Sequence, residues 1–225
     1  MTDIKDNLVA VELQISNACN HAERARKDVH LLAVSKTKPI EMIKQAYDAG
    51  QRAFGENYVQ EAVEKVSQLS DLQNIVWHFI GPIQSNKTRL IADNFAWVHS
   101  VDRAKIATRL NEQRSGQDTP LNVCLQVNIS EEESKSGATP DEIKALAKIV
   151  SECEHLQLRG LMAIPAKENV EQSFSKMKSL FDQLKSEYAT VDTLSMGMSG
   201  DLQQAISNGS TMVRIGTALF GARNY

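Results

Sequence analysis

Short apolar runs alternate with helical patterns along the whole sequence, and this alternation restricts the fold more than any single motif does. Leu31 to Ser35, Arg52 to Phe54, Ile75 to Ile80, Phe95 to His99, Leu121 to Ile129, Leu158 to Ala163, Val191 to Leu194 and Thr211 to Ile215 read as strands. Between them apolar residues return at helical spacing, as in Ile40, Ile43 and Tyr47, in Val59, Ala62, Val63, Val66 and Leu69, and in Phe174, Met177, Phe181 and Leu184. The clearest helix start is at Thr139, which can cap, with Pro140 at the first position and Glu142 completing a capping box. A further helix, with Ile4, Leu8, Val11, Ile15 and Ala18 on one face, precedes the first strand. Strands separated by helices imply right-handed crossovers and a parallel sheet. The expected fold is α/β: one (β/α)8 TIM-type barrel with an extra N-terminal helix, with residues 1–225 forming a single domain. An open doubly wound sheet is the alternative.

Composition narrows the functional classes. A net charge of -3 argues against a nucleic-acid binder, which would carry a strongly basic face. No apolar stretch approaches the roughly 20 residues that span a bilayer. The polar start, Met1 to Asp6, has no apolar signal core, so a cytoplasmic protein is expected, with no membrane partner. Cys19, Cys124 and Cys153 are far apart, form no CxxC and suggest no disulfide framework. The helices offer no unusually long apolar face, and a monomer is expected.

In either candidate fold, ligands sit at the C-terminal ends of the strands. Lys36 closes the first strand, just before the turn Thr37-Lys38-Pro39. Desolvation there lowers the pKa of an amine and favours attack on carbonyls, which is what a Schiff-base lysine needs. The ordinary alternative is a lysine that snorkels to water. The seventh and eighth strand ends carry Ser199-Gly200 and Gly216-Thr217 at strand-to-helix turns, where backbone N–H groups and hydroxyls attract phosphate. Each turn alone could be explained by helix capping. Two such turns beside a desolvated lysine suggest pyridoxal 5'-phosphate held as an aldimine. Arg214, one strand position away, could pair with the phosphate, face the pyridine nitrogen, or form an ion pair in the barrel mouth. Facing the nitrogen, a guanidinium would leave it unprotonated, and the ring would be a weak electron sink.

Several long motifs carry a resemblance. They are Leu32 to Pro39, Phe54 to Glu61, Trp77 to Lys87, Ser134 to Gly137, Arg159 to Met162, Ser195 to Ser199, and Gly209 to Gly216. Together they closely resemble the YggS/PROSC-type pyridoxal phosphate homeostasis proteins, whose fold is similar to the N-terminal barrel of bacterial alanine racemase. The resemblance implies Lys36 as the aldimine lysine, with Ser199, Gly216 and Thr217 at the phosphate, beside the Gly200 of the same turn. It places Arg214 near the pyridine nitrogen, Asn57 near the cofactor and Met196 against its face. It also implies carriage and buffering of the cofactor in vitamin B6 homeostasis, with pyridoxal-phosphate-dependent apoenzymes as recipients and no established catalysis.

A small racemase or lyase using the same aldimine is the main alternative, and a phosphosugar-binding barrel enzyme is another. Two-base racemisation needs a second proton donor, which alanine racemases take from an additional domain. This sequence stops at Tyr225, right after the last barrel unit, and that domain is expected to be missing. Tyr58 is the nearest substitute, with packing beside Asn57 as its ordinary role. His78 and His99 end neighbouring strands but have no third ligand at useful spacing, so no metal is expected and satisfied core histidines are the simpler reading. Lys135, after the acidic run Glu131 to Glu133, could be a second aldehyde or phosphate contact or an exposed lysine.

Overall fold

A computed structural model describes residues 3–130, 132, 136–166 and 168–222. Lys135, Glu131, Glu133 and Tyr225 lie outside the described residues. Eight parallel strands close into a barrel in sequence order: β1 (His30–Val34), β2 (Ala53–Glu56), β3 (Val76–Phe79), β4 (Trp97–Val101), β5 (Leu121–Gln126), β6 (Leu156–Met162), β7 (Thr193–Ser195) and β8 (Met212–Ile215). The open-sheet alternative is excluded by the pairing of β1 with β8, in which Ala33 faces Ile215.

Helices fill the crossovers: α1 (Ile4–His21) precedes β1, α2 (Ile40–Asp48) follows it, and α3 (Val59–Gln68), α4 (Thr88–Asn94) and α5 (Ala104–Arg114) follow β2, β3 and β4. They continue with α6 (Pro140–Ser151), α7 (Val170–Glu187), α8 (Leu202–Ser207) and α9 (Thr217–Phe220). The apolar face expected of α1 is buried throughout, from Ile4 to Ala18. The capping box of α6 forms as expected: Thr139 N donates to Glu142 Oε2 at 2.8 Å.

Strand alternation sorts the side chains into two sets. Leu32, Ile80 and Met212 form a small cluster inside the barrel, with Val34 and Ala53 packed against it. The larger core lies between strands and helices and includes Ala33, Phe54, Phe79, Ile91 and Phe174. The inward register matters for the site, because it continues past the strands to Lys36, Asn57 and Gly216.

Two boundaries moved for identifiable reasons. Phe95, read as the start of a strand, instead caps the C-terminus of α4 and buries its ring in the core, so β4 starts at Trp97. The long run expected to reach Ile129 stops at Gln126, after which Val127 forms only an isolated bridge with Ala138.

Candidate site at the C-terminal mouth of the barrel

Lys36 lies two residues past Val34, at the C-terminal mouth, and is half-buried. The residues on either side of it are clamped. Ser35 N donates to Gly55 O at 3.0 Å, and Thr37 N donates to Glu61 Oε1 at 2.6 Å. Thr37 takes a left-handed conformation, φ 61°, which turns the chain sharply behind the lysine. The clamp is organised by Lys65 of α3. Its Nζ donates to Ser35 O at 2.8 Å, Glu56 Oε1 at 2.9 Å and Glu61 Oε1 at 2.6 Å. Ser35 Oγ donates to the same Glu56 oxygen at 2.6 Å. Glu56 is fully buried, and burial pushes its carboxyl up from the ordinary value while Lys65 pulls it back. This cluster on the outer face of the barrel was missed in the sequence. Its one local signal was the Glu61/Lys65 pair at helical spacing, which resembles an ordinary exposed pair.

Barrel closure places the eighth strand end beside the first. A Cβ on Gly216 would come within 3.2 Å of Val34 O, so a glycine suits this close approach. Thr217 follows at the exposed start of α9. Ser199 and Gly200 are exposed in the turn after β7, and nothing lies within 4 Å of where a Gly200 Cβ would sit. Ser199 and Gly200 lie between β7 and the helix that follows it. The helix starts at Leu202, and Asp201 closes the turn by accepting from Met198 N at 2.6 Å. The turn therefore brings an acidic residue to the mouth.

Arg214 points into the barrel and is 4% exposed. Nη1 donates to Ser195 O at 2.7 Å and Ser195 Oγ at 2.9 Å, and Nη2 donates to Ala163 O at 2.9 Å. These partners are neutral, which removes the ion-pair alternative among the described residues. Burial lowers the guanidinium to about 10, so it remains a cation near neutral pH. Asn57 is half-buried, and its Oδ1 is enclosed without a hydrogen-bond partner among the described residues. Such an atom suits a ligand donor. Gly81 lets the chain pass close to it, since a Cβ there would sit 2.1 Å from Asn57 O.

Lys36, Asn57, Arg214, Gly216 and Thr217 thus belong to one end of the barrel, with Ser199 and Gly200 in the adjoining turn. Met196 departs from the expectation. Ser195 faces inward, so alternation turns Met196 outward, where it is fully buried in the main core. Tyr58 also differs: it is 53% exposed at the N-cap of α3 instead of packed beside Asn57. His78 and His99 hydrogen-bond each other at 2.9 Å, and no group of metal-ligating side chains occurs among the described residues. No helix among them is long and apolar enough to cross a membrane.

A cavity of about 1280 Å³ opens at the opposite mouth, where the strands begin. It is lined by His30, Ala53, Trp97 and Met212 among others. It does not include Lys36 or the two glycine turns. Functional groups in this architecture gather at the other mouth, where the strands end.

Comparison with known proteins agrees with this fold. The family model of the alanine racemase N-terminal domain matches residues 7–224. The pyridoxal phosphate homeostasis protein of Haemophilus influenzae is 57% identical over 230 residues, covering 99% of this chain and 97% of its own. PipY of Synechococcus elongatus, solved with PLP bound, is 35% identical and superposes with a TM-score of 0.84, covering 97% of this chain and 100% of that one. Alanine racemase from Corynebacterium glutamicum, 16% identical with a TM-score of 0.70, covers 96% of this chain and 61% of that one and shares the fold alone. With its closed barrel, its strand-end lysine and these full-length relatives, the chain belongs to the pyridoxal phosphate homeostasis proteins of the alanine racemase N-terminal-domain family.

Proposed function

We propose that this chain is an intracellular carrier and buffer of pyridoxal 5'-phosphate in vitamin B6 homeostasis, with residues 1–225 acting as one binding unit. The observation that carries the reading is the juxtaposition of Lys36 with the β8 end, where Gly216 packs against Val34 two residues before the lysine. The residues present fit the cofactor. When bound, pyridoxal phosphate supplies an aldehyde carbon that reacts with amines and a ring that withdraws electrons. Lys36 would hold the aldehyde carbon covalently. Ser199, Gly200, Gly216 and Thr217 would hold the phosphate, using backbone N–H groups and hydroxyls. Asn57 offers its enclosed, unpartnered oxygen to the same ligand.

Arg214 favours carriage over catalysis. It can donate hydrogen bonds but accept none. Opposite the ring nitrogen it would leave that nitrogen without a proton and weaken the ring as an electron sink. The exposed Ser199, Gly200 and Thr217 keep the phosphate end open to water, which suits release to apoenzymes better than a sealed reaction chamber. A monomer suffices for this role, because every proposed contact lies in one chain. The racemase-like reading has Tyr58 as its nearest second proton donor. That side chain projects into solvent from the N-cap of α3.

The test is a visible absorption spectrum of the purified protein with pyridoxal phosphate, before and after borohydride, followed by peptide mapping. Label on Lys36 is the expected result. Label confined to another lysine, or no visible band, overturns the assignment. Solvent deuterium appearing rapidly at the α-carbon of added amino acids, with turnover, would replace the carrier reading with the racemase one.

A further inference from the structure

The barrel interior contains a polar column that neither lysine chemistry nor phosphate binding uses. His78 of β3, His99 of β4 and Ser195 of β7 are at most 2% exposed, and each faces inward. His78 Nδ1 is 2.9 Å from His99 Nε2, and His99 Nδ1 is 2.9 Å from Ser195 Oγ. Arg214 Nη1 reaches the same hydroxyl at 2.9 Å.

The direction of these bonds follows from the head of the column. A guanidinium only donates, so Ser195 Oγ accepts from Arg214. A second lone pair on that oxygen would also let it accept from His99, but its own buried proton has no acceptor other than His99 Nδ1 among the hydrogen bonds of the described residues, and it donates there. His99 must then carry its proton on Nε2 and donate it to His78 Nδ1. His78 in turn carries its proton on Nε2. His78 borders the cavity at the N-terminal mouth, where water can accept it. Every donor therefore points away from Arg214 and down the barrel.

We propose that Ser195, His99 and His78 are positioning residues: they form a one-way hydrogen-bonded column that holds Arg214 as an obligate donor toward the ring nitrogen of bound pyridoxal phosphate. The proposal rests on the carrier reading above. It also accounts for a buried cation that has no carboxylate among its hydrogen-bond partners. Each hydroxyl and imidazole dipole in the column turns its negative end toward the guanidinium, as do the carbonyls of Ser195 and Ala163.

The column requires neutral imidazoles, because a proton on His99 Nδ1 would remove the acceptor and set a second cation beside the first. Burial provides this neutrality. It lowers His78 to about 3 and His99 well below its ordinary value. The facing cation Arg214 acts on His99 in the same direction, and a proton on either imidazole would oppose one on the other. Asp201 faces Arg214 and favours its charge, while burial pushes the Cys124 thiol up and keeps it neutral. Trp97 stacks on His78 at 5.2 Å, with Arg159 over the indole at 4.5 Å, and closes the foot of the column.

Nitrogen-15 NMR of labelled histidines in the cofactor-free protein tests the column directly. Both side chains are expected to remain neutral Nε2–H tautomers from about pH 5 to about pH 8, where an ordinary histidine titrates. Ser195→Ala is expected to give His99 a mixture of tautomers and to weaken pyridoxal phosphate binding about tenfold. Ser195→Thr keeps the hydroxyl and is expected to stay within about twofold of the parent, with the parent's tautomers. An imidazolium or an Nδ1–H tautomer at His99 in that range overturns the column even if the cofactor binds. Equal affinity of the Ala and Thr variants overturns it too. The expected tautomers in a protein that shows no visible band with pyridoxal phosphate would instead overturn the carrier reading, and with it the ring-nitrogen role of Arg214.

Discussion

The role proposed for Lys36 depends on where its neighbours are fixed. Lys36→Ala is expected to abolish the visible band and the borohydride label while leaving far-UV circular dichroism unchanged, since a half-buried strand-end side chain contributes little to the core. A full band in that variant would contradict the assignment. Lys65 has the opposite profile. Lys65→Met leaves Glu56 buried without its cation and is expected to cost about 3–5 kcal/mol in urea unfolding. Burial raises the Glu56 carboxyl, so its folded state favours the protonated form. The stability this confers is full below the ordinary carboxylate range and is lost as pH rises through the raised value. The Lys65→Met penalty should therefore grow from acid toward neutral pH, and a penalty independent of pH would refute this account. Sequence reading singled out Lys36 from its strand-end position but not Lys65, because nothing local distinguishes a helix lysine aimed at a strand end from one aimed at water.

At the scale of elements, the helix signals that were easiest to read involve adjacent residues. Thr139, Pro140 and Glu142 lie within four positions of one another, and their capping box forms. Thr139→Ala is expected to lower stability by about 1 kcal/mol, measured by thermal or denaturant unfolding. Gly160 shows the reverse, because its need arises between strands. A Cβ there would fall 1.8 Å from Thr193 O, with φ at 151°. Gly160→Ala is expected to destabilise by about 3 kcal/mol or more by forcing β6 away from β7. A variant as stable as the parent would show that this pair of strands yields easily. Phe95 explains why strand edges were misplaced: an apolar residue looks the same whether its ring is buried from a strand or from a helix cap.

For the molecule as a whole, closing the barrel sets a pH limit on stability. His78 has a folded value of about 3 against an ordinary 6.5, so the unfolded chain takes up its proton first on acidification. Its contribution is complete above about 6.5 and is lost as pH falls toward 3, with a slope of about 1.4 kcal/mol per pH unit. His99 adds a second proton of the same sign. Unfolding free energy plotted against pH should steepen below neutrality, and His78→Gln should reduce that slope by about one proton. An unchanged slope would place the acid sensitivity elsewhere.

The sequence alone determined the alternation of strands and helices, the parallel barrel this implies, and the strand ends as the place where chemistry gathers. These follow from periodicity and from residues close together in the chain, where steric and solvation preferences act locally. The tertiary structure decided which distant groups meet. It set Lys65 behind Lys36, turned Met196 into the core, and joined His78, His99, Ser195 and Arg214 across the barrel. Those contacts depend on register and closure, which bring side chains from four different strands, β3, β4, β7 and β8, within hydrogen-bonding distance of one another and set the Lys65 side chain of α3 against the backbone just past β1.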